Sequence, residues 1–412
     1  MKKAILAAVK LDQKESEFNA AVEETRALCE ACEIEVTAVF TQTSRSLDPN
    51  TGLRSGKLKE LSAYIQETET DLIVFHNSVT IQIAERISSV CGVNVIDRTA
   101  LILDIFAKRA RSTQAKLQVE MARLQYDLPR VLHSTADESG HERGGSAYNR
   151  GAGEMRSRLV QRRYSERISQ LKKELEKIRR QKYQDERRRT RTMMRRAALV
   201  GYTNAGKSSL MNAMIRLSNG QGTDVYEEDM LFATLDTSVR MIPYKSRKFL
   251  LYDTVGFVSD LPHTLIDAFQ ATLDAARDAD LLIHVIDSSD PDYDRKAEIT
   301  EDTLKQIGAD DIELLRVYTK CDIYNGDIVM EQGIPVSSKT GEGMEAFMEK
   351  LLERLYPCEE VLTCLIPYEK MAMADAYRSV LIMKIIDHTE EGMICELCGP
   401  QRYTAAFRSM KI

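Results

Sequence analysis

The octapeptide Gly201-Tyr202-Thr203-Asn204-Ala205-Gly206-Lys207-Ser208 constrains this chain more than any other stretch. Two glycines bracket a short loop that ends in Lys-Ser, the spacing of a phosphate-binding loop. The apolar run Ala197–Val200 precedes it and the helical pattern Ser209–Leu217 follows it. A strand must therefore feed a tight loop that opens onto a helix N-terminus, which predicts an α/β domain with a parallel sheet. The loop's backbone N–H groups can wrap an anion, Lys207 can reach the β- and γ-phosphates, and the Ser208 hydroxyl can ligate Mg²⁺.

Further motifs follow in order, each closing an apolar run. Leu250-Leu-Tyr-Asp253-Thr-Val-Gly256 ends in an acid placed to support Mg²⁺ and a glycine whose N–H can sense a γ-phosphate. Leu315-Arg-Val-Tyr-Thr319-Lys320-Cys-Asp322 sets a lysine and an aspartate at a strand end. A carboxylate accepts from N1–H and the 2-amino group of guanine but meets an N1 acceptor and the N6 donor in adenine. Asp322 thus predicts GTP over ATP, with Lys320 across the base plane. Ser337-Ser338-Lys339 can supply backbone donors to the guanine O6. Thr234, in Leu231-Phe232-Ala-Thr234, is the expected switch residue for Mg²⁺ and the γ-phosphate, with Thr237 as the competing choice. Phe257 stands where a water-orienting glutamine would be useful, so hydrolysis by the chain alone is expected to be slow. Asn204 opens a second option, a K⁺ ion beside the phosphates.

The rest of the 412 residues suggests a four-part chain. Residues 1–100 alternate strand runs (Ala4–Val9, Val36–Phe40, Leu72–Phe75, Val93–Ile96) with helical stretches near 15–32, 56–68 and 79–90, which predicts an open parallel sheet. Residues 101–195 read as a helical hairpin. Leu117, Met121, Leu124 and Leu128 form one seam, and Tyr164, Ile168, Leu171, Leu175 and Ile178 the other, both near the 3.5-residue period. Pro129 should close the first helix, and five glycines between Ser139 and Gly153 predict a flexible tip spanning about 133–153. The phosphate-binding domain should occupy 196–357 and a small α+β domain 358–412. Charge is uneven: residues 150–196 carry 18 Lys/Arg against 6 Asp/Glu, or +12, leaving −18 elsewhere in a chain of net −6. A basic rod on an acidic body predicts a polyanionic partner, with Arg143, Tyr148, Arg150 and Arg156 as RNA contacts near the tip. No apolar run nears the roughly 20 residues of a membrane helix. The eight cysteines, without a secretory signal, are expected as reduced thiols in a cytoplasmic monomer. Two Cys-x-x-Cys pairs, Cys29/Cys32 and Cys395/Cys398, lie too far apart in sequence to favour a shared zinc.

The nucleotide motifs resemble those of translation-factor-like GTPases, with Thr319 where asparagine is commoner. Ser55-Gly-Lys-Leu-Lys-Glu-Leu61, Val95–Ala110 and Gln114–Arg130 are similar to the N-terminal and middle regions of the HflX family, and Leu231–Asp236 and Asp253–Pro262 extend the likeness. Arg150-Gly-Ala152-Gly-Glu-Met155-Arg156 departs from the family's Arg-Gly-Pro-Gly-Glu-Thr-Gln-like stretch. The resemblance implies a GTPase that binds GTP/GDP with Mg²⁺, contacts the large ribosomal subunit and its rRNA, and dissociates stalled or idle ribosomes under stress. An assembly or RNA-remodelling factor, and a nucleotide-gated scaffold with little hydrolysis, remain alternatives.

Overall fold

The computed structural model describes residues 2–138, 147–189, 194–218, 238–245, 247–259, 273–324, 333–378 and 380–412, with side chains of 130–157 and 182–189 outside that description. Two compact units emerge among these residues: 2–180 with Ser259, and the remainder.

The first unit opens with β1 (Lys2–Lys10), α1 (Glu15–Ala31), β2 (Ile34–Thr43), α2 (Ser55–Glu67), β3 (Leu72–Phe75), α3 (Ile81–Cys91) and β4 (Asn94–Asp97). All four strands are parallel in the order β2-β1-β3-β4. Ala4 to Val9 are fully buried, as a central strand covered on both faces requires. β2 instead alternates, as an edge strand does. Helix α4 (Arg98–Arg109) is capped by the Asp97 carboxylate, which accepts from the Ala100 N–H and from the Tyr126 hydroxyl. At its first residue the buried Arg98 pairs with Glu24 of α1 at 2.6 Å.

Two long helices follow, α5 (Thr113–Glu138) and α6 (Ala147–Arg189). The seam on α6 is as expected: Tyr164, Ile168, Leu171, Leu175 and Ile178 are its inward positions, and Leu171 is fully buried. Arg167 on α6 reaches Glu120 on α5 at 2.8 Å. Two expectations are corrected. Pro129 lies inside α5 and does not end it. The predicted loop through Gly153 is shorter, because α6 already includes Gly151 and Gly153. Proline and glycine tax a helix interior by about 3 and about 1 kcal/mol, penalties that helices of this length can absorb.

The second unit is a six-stranded sheet flanked by helices, continuous with a smaller sheet. Its elements are β5 (Arg195–Gly201), α7 (Lys207–Leu217), β6 (Ser238–Tyr244), β7 (Arg247–Asp253), β8 (Leu281–Asp287), α8 (Tyr293–Gln306), β9 (Leu314–Thr319), β10 (Ile334–Pro335) and α9 (Met344–Leu355). The order is β10-β9-β8-β5-β7-β6, parallel except for β6 against β7. The apolar runs predicted as strands are these buried central strands. After α9 come β11 (Glu360–Pro367), α10 (Met371–Tyr377), β12 (Ile382–His388) and β13 (Gly392–Gly399), an antiparallel sheet in the order β11-β13-β12.

One apolar core runs without interruption from Leu199 and Phe249 through Phe347 and Leu351 to Leu362, Cys395 and Phe407. Tyr356 sits at the junction. Its ring stacks under the Arg247 guanidinium at 4.8 Å, and its hydroxyl donates to the Lys248 carbonyl at 2.6 Å. Burial pushes that phenol up to about 12, so it stays a donor. The expectation that every cysteine is a free thiol is also corrected. Cys358 and Cys398 form a disulfide across a Cα separation of 5.4 Å. Pairing of β11 with β13 sets Val361 opposite Cys398 and so brings the two sulfurs together from 40 residues apart. Cys395 and Cys398, three apart on a strand, point to opposite faces, and Cys395 enters the core.

Among the described residues of α6, Leu171 alone is fully buried. Leu171→Ala should cost about 2–4 kcal/mol and speed amide exchange along α5 and α6. Exchange in α7 should stay unchanged, and hydrogen-exchange mass spectrometry would read both.

Candidate nucleotide-binding site

The central strand β5 delivers the phosphate-loop residues to the sheet's C-terminal edge, where ligands of open α/β sheets bind. Backbone geometry there leaves little choice of residue. A Cβ on Gly201 would lie 2.3 Å from the Val285 carbonyl oxygen. Gly206, at φ +87°, caps α7 in the left-handed region, and Asn204 adopts φ +60°, which asparagine tolerates better than most residues. The loop therefore turns back on itself before α7 begins.

Lys207 is 6% exposed and donates to the carbonyls of Gly201 at 3.1 Å and Tyr202 at 2.7 Å. Burial pushes its ammonium down to about 8, with Asp253 drawing it partly back. Ser208 Oγ donates to Asp253 Oδ2 at 2.8 Å, and Asp253 is fully buried at the end of β7. A hydroxyl and a carboxylate so close form a hard-oxygen set that fits Mg²⁺, with Ser208 as a ligand and Asp253 supporting it. Ser209 and Ala205 continue the loop into α7.

The backbone after Asp253 is tied to this loop. Thr254 Oγ1 donates to the Leu199 carbonyl at 2.6 Å. The Phe257 N–H donates to Gly201 at 3.1 Å, and the Thr203 N–H donates to Phe257 at 2.7 Å. Gly256 is consequently so close that a Cβ would sit 2.7 Å from Thr203 Cα and 2.9 Å from Lys207 Nζ. The Gly256 backbone therefore runs directly beside the lysine ammonium. Phe257 as a whole is 3% exposed, so its ring is buried.

The base side forms at the ends of β9 and β10. Thr319, buried, donates to the carbonyls of Ala205 at 2.7 Å and Ile286 at 3.1 Å. It braces the phosphate loop, as its position predicts. Lys320 reaches the Asn204 carbonyl at 3.4 Å and the Asp287 carboxylate at 2.7 Å. Asp322 is exposed in the turn that follows. Ser337 is buried, and its hydroxyl accepts from the N–H groups of Lys339 at 3.3 Å and Thr340 at 3.1 Å. The Ser338 carbonyl accepts from Arg216 at 3.1 Å. So the phosphate loop and the Asp253, Thr319-Lys320 and Ser337 segments share one sheet edge. Phe232, Thr234, Thr237 and Arg143 lie outside the described residues. Tyr148, Arg150 and Arg156 are on α6, their side chains likewise outside the description.

Sequence reading missed Thr254 and Asp287. Asp287 carried a usable signal, an acid ending the apolar run Leu281–Ile286, the same signal that marked Asp253. The stacking of Lys296 over the Tyr202 ring at 5.2 Å carried none, because it joins residues 94 positions apart.

Comparison with known proteins bears on this geometry. Residues 19–107 match a family model described as GTP-binding GTPase N-terminal, 109–189 one described as GTP-binding GTPase Middle Region, and 196–320 one described as 50S ribosome-binding GTPase. The GTPase HflX of Caldanaerobacter subterraneus is 37% identical over 89% of this chain and 84% of its own length. That of Akkermansia muciniphila is 34% identical over 97% and 94%. The chain belongs to the HflX family. It is a GTP-binding, GTP-hydrolysing enzyme, as the relatives and the GTPase domain establish. A GTP-binding protein from Sulfolobus solfataricus, solved with GDP, is 27% identical over 86% of this chain and 99% of its own, with a TM-score of 0.45. In this HflX-family chain no helix among the described residues is long and apolar enough to cross a membrane.

The depressed Lys207 makes a pH prediction. Bound polyphosphate restores the full ammonium charge, so the free protein must take up a proton to bind whenever the pH exceeds about 8. Below that value Lys207 is charged before and after, and affinity is flat. Above it affinity should fall by up to about tenfold per pH unit. Calorimetry from pH 7 to 9.5 in buffers of different ionisation enthalpy should record the proton uptake. Constant affinity across that range would show that the free lysine keeps its charge.

Proposed function

We propose that this HflX-family GTPase uses GTP to gate attachment of its basic helix to the large ribosomal subunit. Attachment then separates the subunits of stalled or idle ribosomes under stress. The observation that carries this reading is the match of residues 196–320 to a model described as a 50S ribosome-binding GTPase. The +12 charge of residues 150–196 supports it. On α6, Lys172, Lys173, Lys177 and Arg180 are exposed together, a cationic face that can neutralise RNA phosphates and release counterions.

In this reading residues 1–100 and the hairpin of 101–195 form the RNA-facing part, with Arg143, Tyr148, Arg150 and Arg156 near the tip against rRNA. Residues 196–357 bind the nucleotide, and 358–412 complete their core. Phosphates lie against Gly201–Ser209, with Lys207 and the Gly256 N–H on the γ-phosphate. Mg²⁺ is held by Ser208 and Thr234 with Asp253 behind, and Phe232 flanks the nucleotide. Guanine meets Asp322, Lys320 and the Ser337-Ser338-Lys339 backbone, braced by Thr319. The protein acts as a cytoplasmic monomer.

Sucrose gradients of intact ribosomes test the proposal. GTP should yield free subunits and GDP should not. Particles bound but undivided would favour an assembly factor instead. Asp322→Asn should weaken GTP by about one to two orders of magnitude, from loss of a charge-assisted pair. It should also regain splitting with XTP, whose C2 oxygen accepts from the new amide. Asn204 is exposed on the loop, which leaves room for a K⁺ ion at the phosphates. Hydrolysis should then run faster in KCl than in NaCl, and equal rates would remove K⁺ from the reading.

A further inference from the structure

We propose that Asp287 is a positioning residue for guanine-nucleotide retention, holding the Lys320 ammonium against the phosphate loop, and that Ser289 orients Asp287 for this task. The inference rests on the reading of Lys320 as the base-side lysine. It begins with backbone strain. Lys320 has φ +59°, a left-handed conformation that costs a non-glycine residue about 1 kcal/mol or more. Such a conformation persists only where its surroundings fix it.

The fixing groups come from three strand ends. Cys321 donates its N–H to the Val336 carbonyl at 3.3 Å, and Ile323 closes the turn onto the Lys320 carbonyl at 3.0 Å. Ser288 donates its N–H at 3.0 Å and its hydroxyl at 2.7 Å to the Thr319 carbonyl. The Lys320 side chain crosses to Asp287 Oδ2 at 2.7 Å and to the Asn204 carbonyl at 3.4 Å. The other carboxylate oxygen, Oδ1, accepts from the Ser289 N–H at 3.0 Å and its hydroxyl at 2.6 Å. Asp287 is therefore held on one side and holds on the other. At 17% and 30% side-chain exposure, the pair is shielded enough for the carboxylate to set where the ammonium rests.

Consequences follow from the direction of the tether. A lysine has four rotatable stem bonds, and an unheld ammonium would spend most of its time in water. With the tether it lies along the phosphate loop and fills one wall of the base pocket. Its loss should open that wall for GDP and GTP alike, because the carboxylate bonds of Asp287 run to Lys320 and Ser289 and not to Lys207 or Gly256, which the proposal sets on the γ-phosphate.

Stopped-flow release of fluorescent GDP and a fluorescent non-hydrolysable GTP analogue tests this on the full chain. Asp287→Ala should speed release of both by about tenfold, leaving their affinity ratio within about twofold. Ser289→Ala, which keeps the ion pair and the backbone N–H bond but removes the hydroxyl bond to Oδ1, should give a smaller increase of the same kind. In a Lys320→Met background, Asp287→Ala should add less than about twofold, since the two act as one unit. Three results would overturn the proposal: unchanged release in Asp287→Ala, selective loss of the GTP analogue, or full additivity with Lys320→Met. A lost affinity ratio together with a collapsed melting temperature would mark Asp287 as merely structural. Unchanged release in Lys320→Met alone would instead remove the base-site reading itself.

Discussion

A lysine ammonium sunk among carbonyl oxygens governs this molecule's chemistry. Lys207 is nearly inaccessible, and its nearest partners are the neutral carbonyls of Gly201 and Tyr202. Dipoles of that kind compensate only part of the hydration a buried cation gives up, which is why burial drives its proton affinity down to about 8. The free site is thus built against its own charge. A polyanion supplies what the carbonyls lack, and every feature around the lysine keeps that space open. Gly201 and Gly256 are positions where a single Cβ would collide with Val285 or with Thr203 and Lys207. Asp253, bonded to Ser208, draws the proton affinity of the lysine only partly back against the larger effect of burial.

The same constraint explains why strand ends matter more than helices here. The phosphate loop is braced by Thr319 from β9, strapped by Phe257 from beyond β7, and overlaid by Lys320, itself tied to the end of β8. Three neighbours of β5 or of its partner thus converge on one loop of six residues. Rigidity of this order suits a site that must distinguish two nucleotides differing by one phosphate, since a lax loop would accept both with equal geometry.

How far the sequence could be read follows from the physics of each element. Buried parallel strands are continuous apolar runs, so Ala4–Val9, Leu72–Phe75 and Leu281–Ile286 were legible, and the motif residues followed because each closes such a run. The α6 seam was legible because its one stripe of apolar residues stands out in a strongly charged helix. Breakers misled, since Pro129, Gly151 and Gly153 impose local penalties that a long helix can carry. Pairings across distance were invisible: Cys358 with Cys398, Tyr356 with Arg247, and Lys320 with Asp287 are set by strand register and packing, not by spacing. The boundary placed at Pro357 marks a change of pattern in the sequence, yet the core passes through it by way of Tyr356.

Phe257 ties these threads to catalysis. Its backbone is used twice to strap the phosphate loop, and its ring is spent in the core. A residue with both duties cannot swing out to orient water. The strap ties the backbone beside Gly256 to the phosphate loop, while the ring stays buried. In the proposed gating one residue thus fixes the loop, and a group other than Phe257 orients the water. On that proposal, turnover waits for a second element to complete the site. That is the behaviour needed if hydrolysis is to follow an encounter with a partner and not precede it.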